Sequence, residues 1–501
     1  MNRRSFIQHS SLAIGMANLP PFAEGRIKKS SADGNYSALL VDNRNLINYP
    51  VEAGKRTSLD WNYFAILPDG DGTLIEFPDL SPSRGGRLIL RLLTALEIRD
   101  KREISVSLGR SGKVIWKSFP IWYASCFQIF EIELTVNAEE LKREGIRLKV
   151  TKGDIPIYCY TFDKQRPGSH LYQENDRSAV RDSYFDKLFS LWSVQPFGWM
   201  EGCVTDGLYA LAATGKFPAA DKTLERHLKL FFPDDKQLKY EWYDSSVRDN
   251  IFSNHEGGLP FAALAKKNHR HSALELFTKF CESRIENGTT TAKSLTTEGI
   301  YHLAYPLMAV AEAKRYHLGY DIALIEIIER IDFLGEEERI HQGASKDKSR
   351  TQFTNWSRGY AWFLLGLVRC FGIIKNENAF KNDRRLKVMR EAFEHYASIA
   401  MKNLRNDGSW GAYLDSPDTP FDASGTSGIA SALLYASRFG WNVDFGEQDR
   451  KHVIKCLERS LTPDGFLKEN CQVNRGGEEL QRSDFRVISQ YAMGLMAHLY
   501  T

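Results

Sequence analysis

Two glutamates, Glu256 and Glu298, occupy positions where a carboxylate could do chemistry. Each stands at the start of a predicted helix whose next turns are apolar, before LPF (259–261) and LAYPLM (303–308) respectively. Burial would raise the pKa of one carboxyl group above that of the other, which gives an acid and a base. Such a pair is the minimal equipment for hydrolysing a glycosidic bond. The alternative is structural, because acidic residues at helix N-termini commonly stabilise the helix dipole.

The elements that would position these residues are helices, which are predicted from about residue 180 to the C-terminus. Apolar residues recur there at helical spacing, and loops with Gly and Pro separate the segments. Helices are predicted near residues 181–193, 201–214, 219–232, 256–267, 270–285, 299–314, 319–331, 356–373, 384–402, 425–437, 448–460 and 486–500. Because no short repeat of fixed length is present, the pattern favours a closed six-hairpin (α/α)6 toroid over residues 177–501. In a closed ring the loops converge on a central funnel, where catalytic residues are expected.

The N-terminal part has a different pattern, which predicts a β-sandwich over residues 35–165. Short runs alternate apolar and polar residues, as in RLILRL (87–92), EISVSL (103–108) and IRLKV (146–150), and turn residues separate the runs. The polar segment 165–176 is the expected linker. The predicted fold class is therefore mainly α, with a toroidal catalytic domain and an accessory N-terminal β-sandwich.

Composition excludes several classes of protein. Apolar residues make up 43% of the chain and charged residues 26%, which is globular rather than disordered. The 66 basic and 63 acidic residues leave a net charge of +3, too small to favour nucleic acid or an anionic membrane as a partner. No run of about 18 apolar residues suggests a membrane span. The seven cysteines form no close pair, so neither a metal site nor a disulfide framework is indicated, and we expect no cofactor.

The first 25 residues have the features of a twin-arginine export signal. The sequence NRRSFIQ (2–8) precedes a weakly apolar stretch at 11–19 and a small-residue exit at 21–24. We therefore expect the segment to be removed and the protein to be exported, with the periplasm as its location. The alternative is a disordered basic N-terminus, because the apolar stretch is short.

A series of short motifs runs in order from residue 199 to the C-terminal part of the chain. They are WMEG (199–202), DGLYALAATG (206–215), HEGGL (255–259), TEGIY (297–301), HQG (341–343), NWSRGYAW (355–362), DGSW (407–410), LDSPD (414–418) and DASGTSGIA (422–430). Together they resemble the unsaturated uronyl hydrolases of glycoside hydrolase families 88 and 105, and NWSRGYAW is the most specific similarity. This chain differs from the pattern at Glu256 and Glu298, where the families have aspartates.

The resemblance implies an enzyme that removes a terminal uronic acid with a 4,5 double bond from an oligosaccharide. An acid donates a proton to one carbon of the double bond, water adds to the next carbon, and the unstable hemiketal opens to release the remaining sugar. By position in the motifs, Glu298 is the proton donor and base. Glu256 is expected to hold the water and sugar hydroxyl groups.

The resemblance also indicates residues that bind the substrate. Arg358 suits a uronate carboxylate, since a guanidinium group pairs bidentately with planar anions, although a structural ion pair is the alternative. We expect Trp356 and Trp199 to form a stacking floor for a sugar ring and Trp362 to pack in the core. His341 is expected to bind the sugar or tune a carboxylate. Further candidates are His255, Tyr243 and Tyr301, and Arg475 is expected at the rim of the funnel.

Other functions remain open at this point. With glutamates in place of both aspartates, a saturated glucuronide attacked at its anomeric carbon is a rival substrate. A polysaccharide lyase would need a base such as Tyr243, Tyr301 or His302 near Arg358. A non-catalytic glycan-binding protein would use the β-sandwich, and a homodimer is also open.

Overall fold

The computed structural model describes residues 36–37, 40–41, 59, 61–80, 86–162, 166–174, 180–236, 238–239 and 257–501. The predicted export signal lies outside these residues, as do three of the candidate site residues, Tyr243, His255 and Glu256. The described chain consists of strands up to residue 174 and mainly of helices from residue 180 onward.

Antiparallel sheets form the N-terminal domain. Its elements are β1 (Tyr36–Ser37), β2 (Leu40–Val41), β3 (Tyr63–Ile66), β4 (Thr73–Glu76), β5 (Arg87–Leu93), β6 (Lys101–Leu108), β7 (Val114–Trp122), β8 (Ile129–Leu134), α1 (Ala138–Glu144), β9 (Ile146–Lys152), β10 (Ile157–Tyr160) and β11 (His170–Glu174). One sheet has the order β1-β11-β5-β8, the other β2-β4-β9-β6-β7, and β3 pairs with β10. The alternation of apolar and polar residues along a strand explains which side chains form the core. On β6, Ile104, Val106 and Leu108 are buried, while the residues between them are partly exposed.

Helices build the rest of the described chain. They are α2 (Val180–Leu188), α3 (Trp199–Ala213), α4 (Pro218–Phe231), α5 (Pro260–Lys267), α6 (Ala273–Ser283), α7 (Tyr305–Lys314), α8 (His317–Leu334), α9 (Ser357–Ile374), α10 (Arg384–Lys402), α11 (Ala423–Arg438), α12 (Glu447–Arg459), α13 (Gly477–Arg482) and α14 (Gln490–Ala497). A π-helical turn, Ile300–Ala304, leads into α7. Short 3-10 turns lie at Leu191–Ser193, Asn378–Phe380, Asn474–Gly476 and His498–Tyr500.

The distribution of buried residues distinguishes an inner ring of helices from an outer ring. On α10, Leu386, Met389 and Phe393 are buried at helical spacing while the opposite face is charged, as expected for an outer helix. On α9, by contrast, nearly every residue is buried, as expected for a helix surrounded by others. The inner helices α3, α5, α7, α9, α11 and α14 alternate along the chain with the outer helices α2, α4, α6, α8, α10 and α12.

The inner helices form a closed ring. Each packs against the next in chain order, and α14 packs against α3. At this closing contact, a Cβ atom on Gly207 would lie 2.2 Å from the carbonyl oxygen of Gly494, and one on Gly494 would lie 2.2 Å from that of Cys203. Glycine at both positions therefore allows the two backbones to meet. The predicted fold class, a mainly α (α/α)6 toroid, is confirmed.

Short strands at one end of the toroid were not foreseen from the sequence. They are β12 (Ile285–Glu286), β13 (Thr289–Thr290), β14 (Ser294–Thr296), β15 (Gly335–Glu336), β16 (Arg339–Ser345), β17 (Thr351–Thr354), β18 (Asn470–Cys471) and β19 (Arg486–Val487). Strand β16 is central, since β14, β15 and β17 all pair with it. This small sheet lies next to the start of α9 and places polar side chains there.

Buried charges join the sandwich to the toroid. Arg91 of β5 donates two hydrogen bonds, of 2.5 and 2.6 Å, to the carboxylate of Asp464, and Lys187 Nζ lies 3.2 Å from the same carboxylate. Burial alone would raise the pKa of Asp464, but the two cations hold that pKa far below its ordinary range. Gln490 of α14 donates to the carbonyl oxygen of Phe127 at 2.8 Å. The two domains therefore meet across a polar junction.

All seven cysteines are buried, and no disulfide bond joins them in the described part of the chain. Among the described residues, no group of three or more His, Cys, Asp or Glu side chains is arranged to hold a metal ion. The helices in the same residues include none with the length and apolar character needed to cross a membrane.

Candidate active site

A cavity of about 190 Å³ opens at the end of the toroid where α3 and α9 begin. The small sheet around β16 and the turn after β18 complete its wall. The described residues that line it are Trp199, Thr296, Glu298, His302, Gln342, Gln352, Trp356, Arg358, Trp362, Val473 and Asn474. Four of the candidates from the sequence, Glu298, Arg358, Trp356 and Trp199, thus meet in one place.

Glu298 is held between β14 and the π-helical turn. Its neighbour Thr297 donates its backbone N–H to the carbonyl oxygen of Gln342 at 2.8 Å, which fixes the strand end against β16. The side-chain amide of Gln342 donates to both carboxylate oxygens of Glu298, each at 2.7 Å. Burial raises the pKa of Glu298, and the hydrogen bonds only partly offset it. The Gln342 amide and the Thr297 hydroxyl group, which donates at 3.2 Å, are neutral rather than cationic. The geometry therefore favours a carboxyl group that keeps its proton to a higher pH than a surface glutamate does.

Strand alternation decides which residue of the HQG motif reaches the cavity. Gln342 lines it, and its amide oxygen accepts a hydrogen bond of 3.3 Å from Gln352 Nε2, which orients the amide. His341 is the preceding residue on β16, so its side chain lies on the other face. Its Nδ1 is 2.8 Å from Thr354 Oγ1, and its Nε2 is 3.3 Å from a carboxylate oxygen of Glu336. The structure therefore does not bring His341 to the cavity with Glu298.

Arg358 is a buried cation at the cavity wall. It is 2% exposed, and its guanidinium group donates to the carbonyl oxygens of Cys471 and Gln472 at 2.9 and 2.7 Å and to the hydroxyl group of Tyr491 at 2.5 Å. Its guanidinium carbon lies 4.4 Å from the ring centre of Trp356. Among the described residues it forms no ion pair with a carboxylate. The cavity therefore contains a fixed positive charge whose described hydrogen-bond partners are all uncharged, and the carboxylate of Asp422 stabilises this charge from beyond ion-pair distance.

Aromatic rings form the floor of the cavity. Trp199, at the start of α3, stacks on His302 with ring centres 5.8 Å apart and an interplanar angle of 9°. Trp362 meets His302 edge to face at 4.8 Å. Tyr301 stacks on Trp362 from below at 6.0 Å and donates to Asp206 at 2.7 Å. Tyr301 is fully buried and is not among the described cavity residues, so the structure places it as support for the floor.

Several lining residues were not singled out from the sequence as substrate-binding candidates. Gln342 and Gln352 come from the unforeseen strands, and Val473 and Asn474 from the turn after β18. If HQG is taken as part of a strand, the side chains of His341 and Gln342 are expected on opposite faces. No sequence pattern indicates that the turn after β18 lies at the cavity. The remaining candidates, Tyr243, His255 and Glu256, lie outside the described residues.

The C-terminal third of the chain is similar to a known family. Residues 335–501 match the model of Glycosyl Hydrolase Family 88. This segment contains Gln342, Trp356 and Arg358 of the cavity. The match confirms the resemblance inferred from the motifs and identifies the protein as a glycoside hydrolase. No curated protein matches the chain.

Solved structures of similar fold cover about two thirds of the chain. A "possible member of GH105 family" from Klebsiella pneumoniae is 14% identical, with a TM-score of 0.53 over 66% of this chain and 95% of that one. A glycoside hydrolase of family 105 from C. acetobutylicum is 15% identical, with a TM-score of 0.52 over 64% and 98%. A similar structure from Salmonella enterica has 16% identity and a TM-score of 0.51 over 61% and 82%. At these identities the likeness establishes the fold.

Proposed function

We propose that this glycoside hydrolase, whose C-terminal third matches Glycosyl Hydrolase Family 88, removes an unsaturated uronic acid from the non-reducing end of polysaccharide-derived oligosaccharides. The observation that carries the proposal is the placement of Glu298 and Arg358 in one cavity. The first supplies a carboxyl group with a raised pKa, and the second supplies a buried cation whose hydrogen-bond partners are uncharged.

In this proposal Arg358 binds the carboxylate of the uronic acid. A guanidinium group pairs strongly with a planar anion, and the interaction is stronger where water is excluded. Three of its donors are used by Cys471, Gln472 and Tyr491, which hold the group in place without neutralising it. Trp199, partly exposed in the cavity, offers a face for the sugar ring. These groups would hold the terminal sugar beside Glu298.

Glu298 then acts as the proton donor. Because burial raises its pKa, a larger share of it is protonated near neutral pH than of an ordinary glutamate. Its proton moves to one carbon of the 4,5 double bond, and water adds to the adjacent carbon. The resulting hemiketal opens, which breaks the link to the remaining sugar. The carboxylate of Glu298, still held by Gln342, takes back a proton when water adds.

Glu256 is the second carboxylate of the proposal. Its role, holding the water and the sugar hydroxyl groups, rests on its place in the HEGGL motif.

We also propose that the twin-arginine segment exports the protein to the periplasm, where oligosaccharides from outside the cell would reach it. The motif NRRSFIQ at residues 2–8 supports this proposal.

One assay tests the function. The purified protein is incubated with a lyase-digested uronate oligosaccharide, with a saturated glucuronide and with the intact polysaccharide, while double-bond absorbance and released sugar are followed. We expect the absorbance to fall with the first substrate and the remaining oligosaccharide to be released. Release of saturated glucuronic acid would support an anomeric hydrolase instead, and rising absorbance with the polymer would support a lyase. No reaction with any of the three would refute the proposal.

A further inference from the structure

A second cavity, of about 80 Å³, lies at the junction between the toroid and the sandwich. Trp199, Val473 and Asn474 line both this cavity and the one that contains Glu298. The two cavities are therefore neighbours. If the terminal sugar of a linear oligosaccharide occupies the first cavity, the next sugar must lie in an adjacent space. The second cavity is such a space.

Both domains supply the walls of the second cavity. Phe197 and Met200 come from the start of the toroid, while Ser125 and Glu97 come from loops of the sandwich. Arg475 of the toroid reaches across the rim and pairs with Glu97 at 2.5 Å. The cavity thus exists only because the sandwich is docked on the toroid.

The sandwich loop is fixed in place by the toroid. Gln472 Nε2 donates to Gln128 Oε1 at 3.1 Å, and the same oxygen accepts the backbone N–H of Ser125 at 3.0 Å. Gln490 Nε2 holds the carbonyl oxygen of Phe127, a residue in the left-handed region with φ of 60°. Ser125 is therefore presented on a rigid wall. A rigid wall lowers the entropy cost of binding a ligand against it.

The chemistry of the second cavity fits an uncharged sugar. Phe197 and Met200 offer apolar surface of the kind that packs against the faces of sugar rings. Glu97 and Arg475 offer an acceptor and a donor for hydroxyl groups. Glu97 also pairs with Arg99 at 2.8 Å, and because the side chains of Arg99 and Arg475 are 47% and 43% exposed, neither is a buried, unpaired cation of the kind that would select a second uronate. A neutral monosaccharide unit meets both conditions.

We propose that the second cavity binds the neutral sugar to which the terminal uronic acid is linked, so that toroid and sandwich together select oligosaccharides over small aglycones. The inference rests on the proposed function, because the uronic acid must occupy the first cavity. It assigns the sandwich a direct part in substrate recognition.

Binding measurements test the inference apart from catalysis. In the Glu298→Gln protein, affinity is measured by calorimetry for two ligands with the same unsaturated uronic acid. One carries a methyl group, and the other carries a neutral disaccharide. We expect the longer ligand to bind about tenfold more tightly, which corresponds to about 1.4 kcal/mol. Equal affinities would overturn the inference, whereas failure of both ligands to bind would refute the proposed function itself.

Two further substitutions test whether the second cavity is the source of the preference for the longer ligand. Ser125→Trp fills the second cavity, so in the same background it should remove the tenfold preference for the longer ligand. Ser398→Trp, on the exposed face of outer helix α10, is the matched control and should keep the preference. Arg475→Ala changes a side chain that is 43% exposed and should lower the preference about threefold without disturbing the fold. If the preference survives both Ser125→Trp and Arg475→Ala, the second cavity does not bind the sugar.

Discussion

The hydrogen bonds from Gln342 should set the pH at which the enzyme loses activity. If Glu298 donates the proton, kcat/KM falls on the alkaline side as Glu298 loses that proton. Replacing Gln342 by Leu keeps a side chain of similar size but removes the amide that now donates to both carboxylate oxygens at 2.7 Å. The charged form of Glu298 then loses the two hydrogen bonds from Gln342 and keeps the longer one, of 3.2 Å, from the hydroxyl group of Thr297. Its pKa should rise further, and the alkaline limb of the pH profile should move to higher pH.

The expected size of the shift follows from the strength of the lost interaction. A hydrogen bond to a charged group contributes about 1.5–3 kcal/mol. One pKa unit corresponds to about 1.36 kcal/mol, so the limb should move by about 1–2 pH units. Glu298 is partly exposed, and water that reaches the carboxylate would replace part of the lost bond, which favours the lower end of this range.

The assay is kcat/KM for a lyase-digested oligosaccharide, measured across the pH range for the wild-type, Gln342→Leu and Gln352→Leu proteins. Gln352→Leu is the matched control, because Gln352 bonds to Gln342 and not to the carboxylate, so its limb should move much less. Circular dichroism establishes that each variant is folded. An unchanged alkaline limb in an active Gln342→Leu protein, or a limb moved to lower pH, would refute Glu298 as the proton donor.

Four further predictions concern Glu298, the domain junction and the ring closure. Glu298→Gln should lower kcat about 10²–10⁴-fold in steady-state assays. Because the raised pKa of Glu298 costs stability from the ordinary pKa of glutamate upward, until pH has passed its folded-state value, thermal melts of Glu298→Gln should match the wild type in acid and exceed it in alkali. Asp464→Asn should lower the free energy of unfolding in urea by about 2–4 kcal/mol, since Arg91 loses a buried partner. In the wild type this contribution is present above the ordinary pKa of aspartate and fades as pH falls toward the lowered folded-state pKa. Gly494→Ala, whose Cβ atom would lie 2.2 Å from the carbonyl oxygen of Cys203, should cost about 1–3 kcal/mol by the same measurement.

Long helices were predicted well because their signal is local and repeated. The prediction of 384–402 coincides with α10, whose buried residues recur every three or four positions. Helix α9 was predicted at 356–373 and spans Ser357–Ile374. The predicted helix at 486–500 begins too early, because Arg486–Val487 pair as a strand before α14 starts at Gln490. A two-residue strand has no periodicity that a sequence pattern could show.

The motifs name several residues that the structure places around one cavity, but they do not show which residues the short strands direct into it. Glu298, Arg358, Trp356 and Trp199 lie around one cavity, as the motifs implied. Within the HQG motif, Gln342 lines the cavity, whereas the sequence pattern indicates His341 as the sugar-binding residue. The pattern gives no sign of strand β16, which turns the two side chains to opposite faces. The uncharged partners of Arg358 come from residues more than a hundred positions away, and only the folded chain reveals such contacts.

The meeting of Gly207 and Gly494 has a consequence for how the molecule is made. It joins the first inner helix to the last, so the ring stays open on the ribosome until α14 has emerged. Tyr491, which holds Arg358, belongs to that last helix. The nascent protein is therefore expected to be inert toward sugar until residues 490–497 have emerged, and a chain truncated before Gln490 should be inactive although every motif of the site remains.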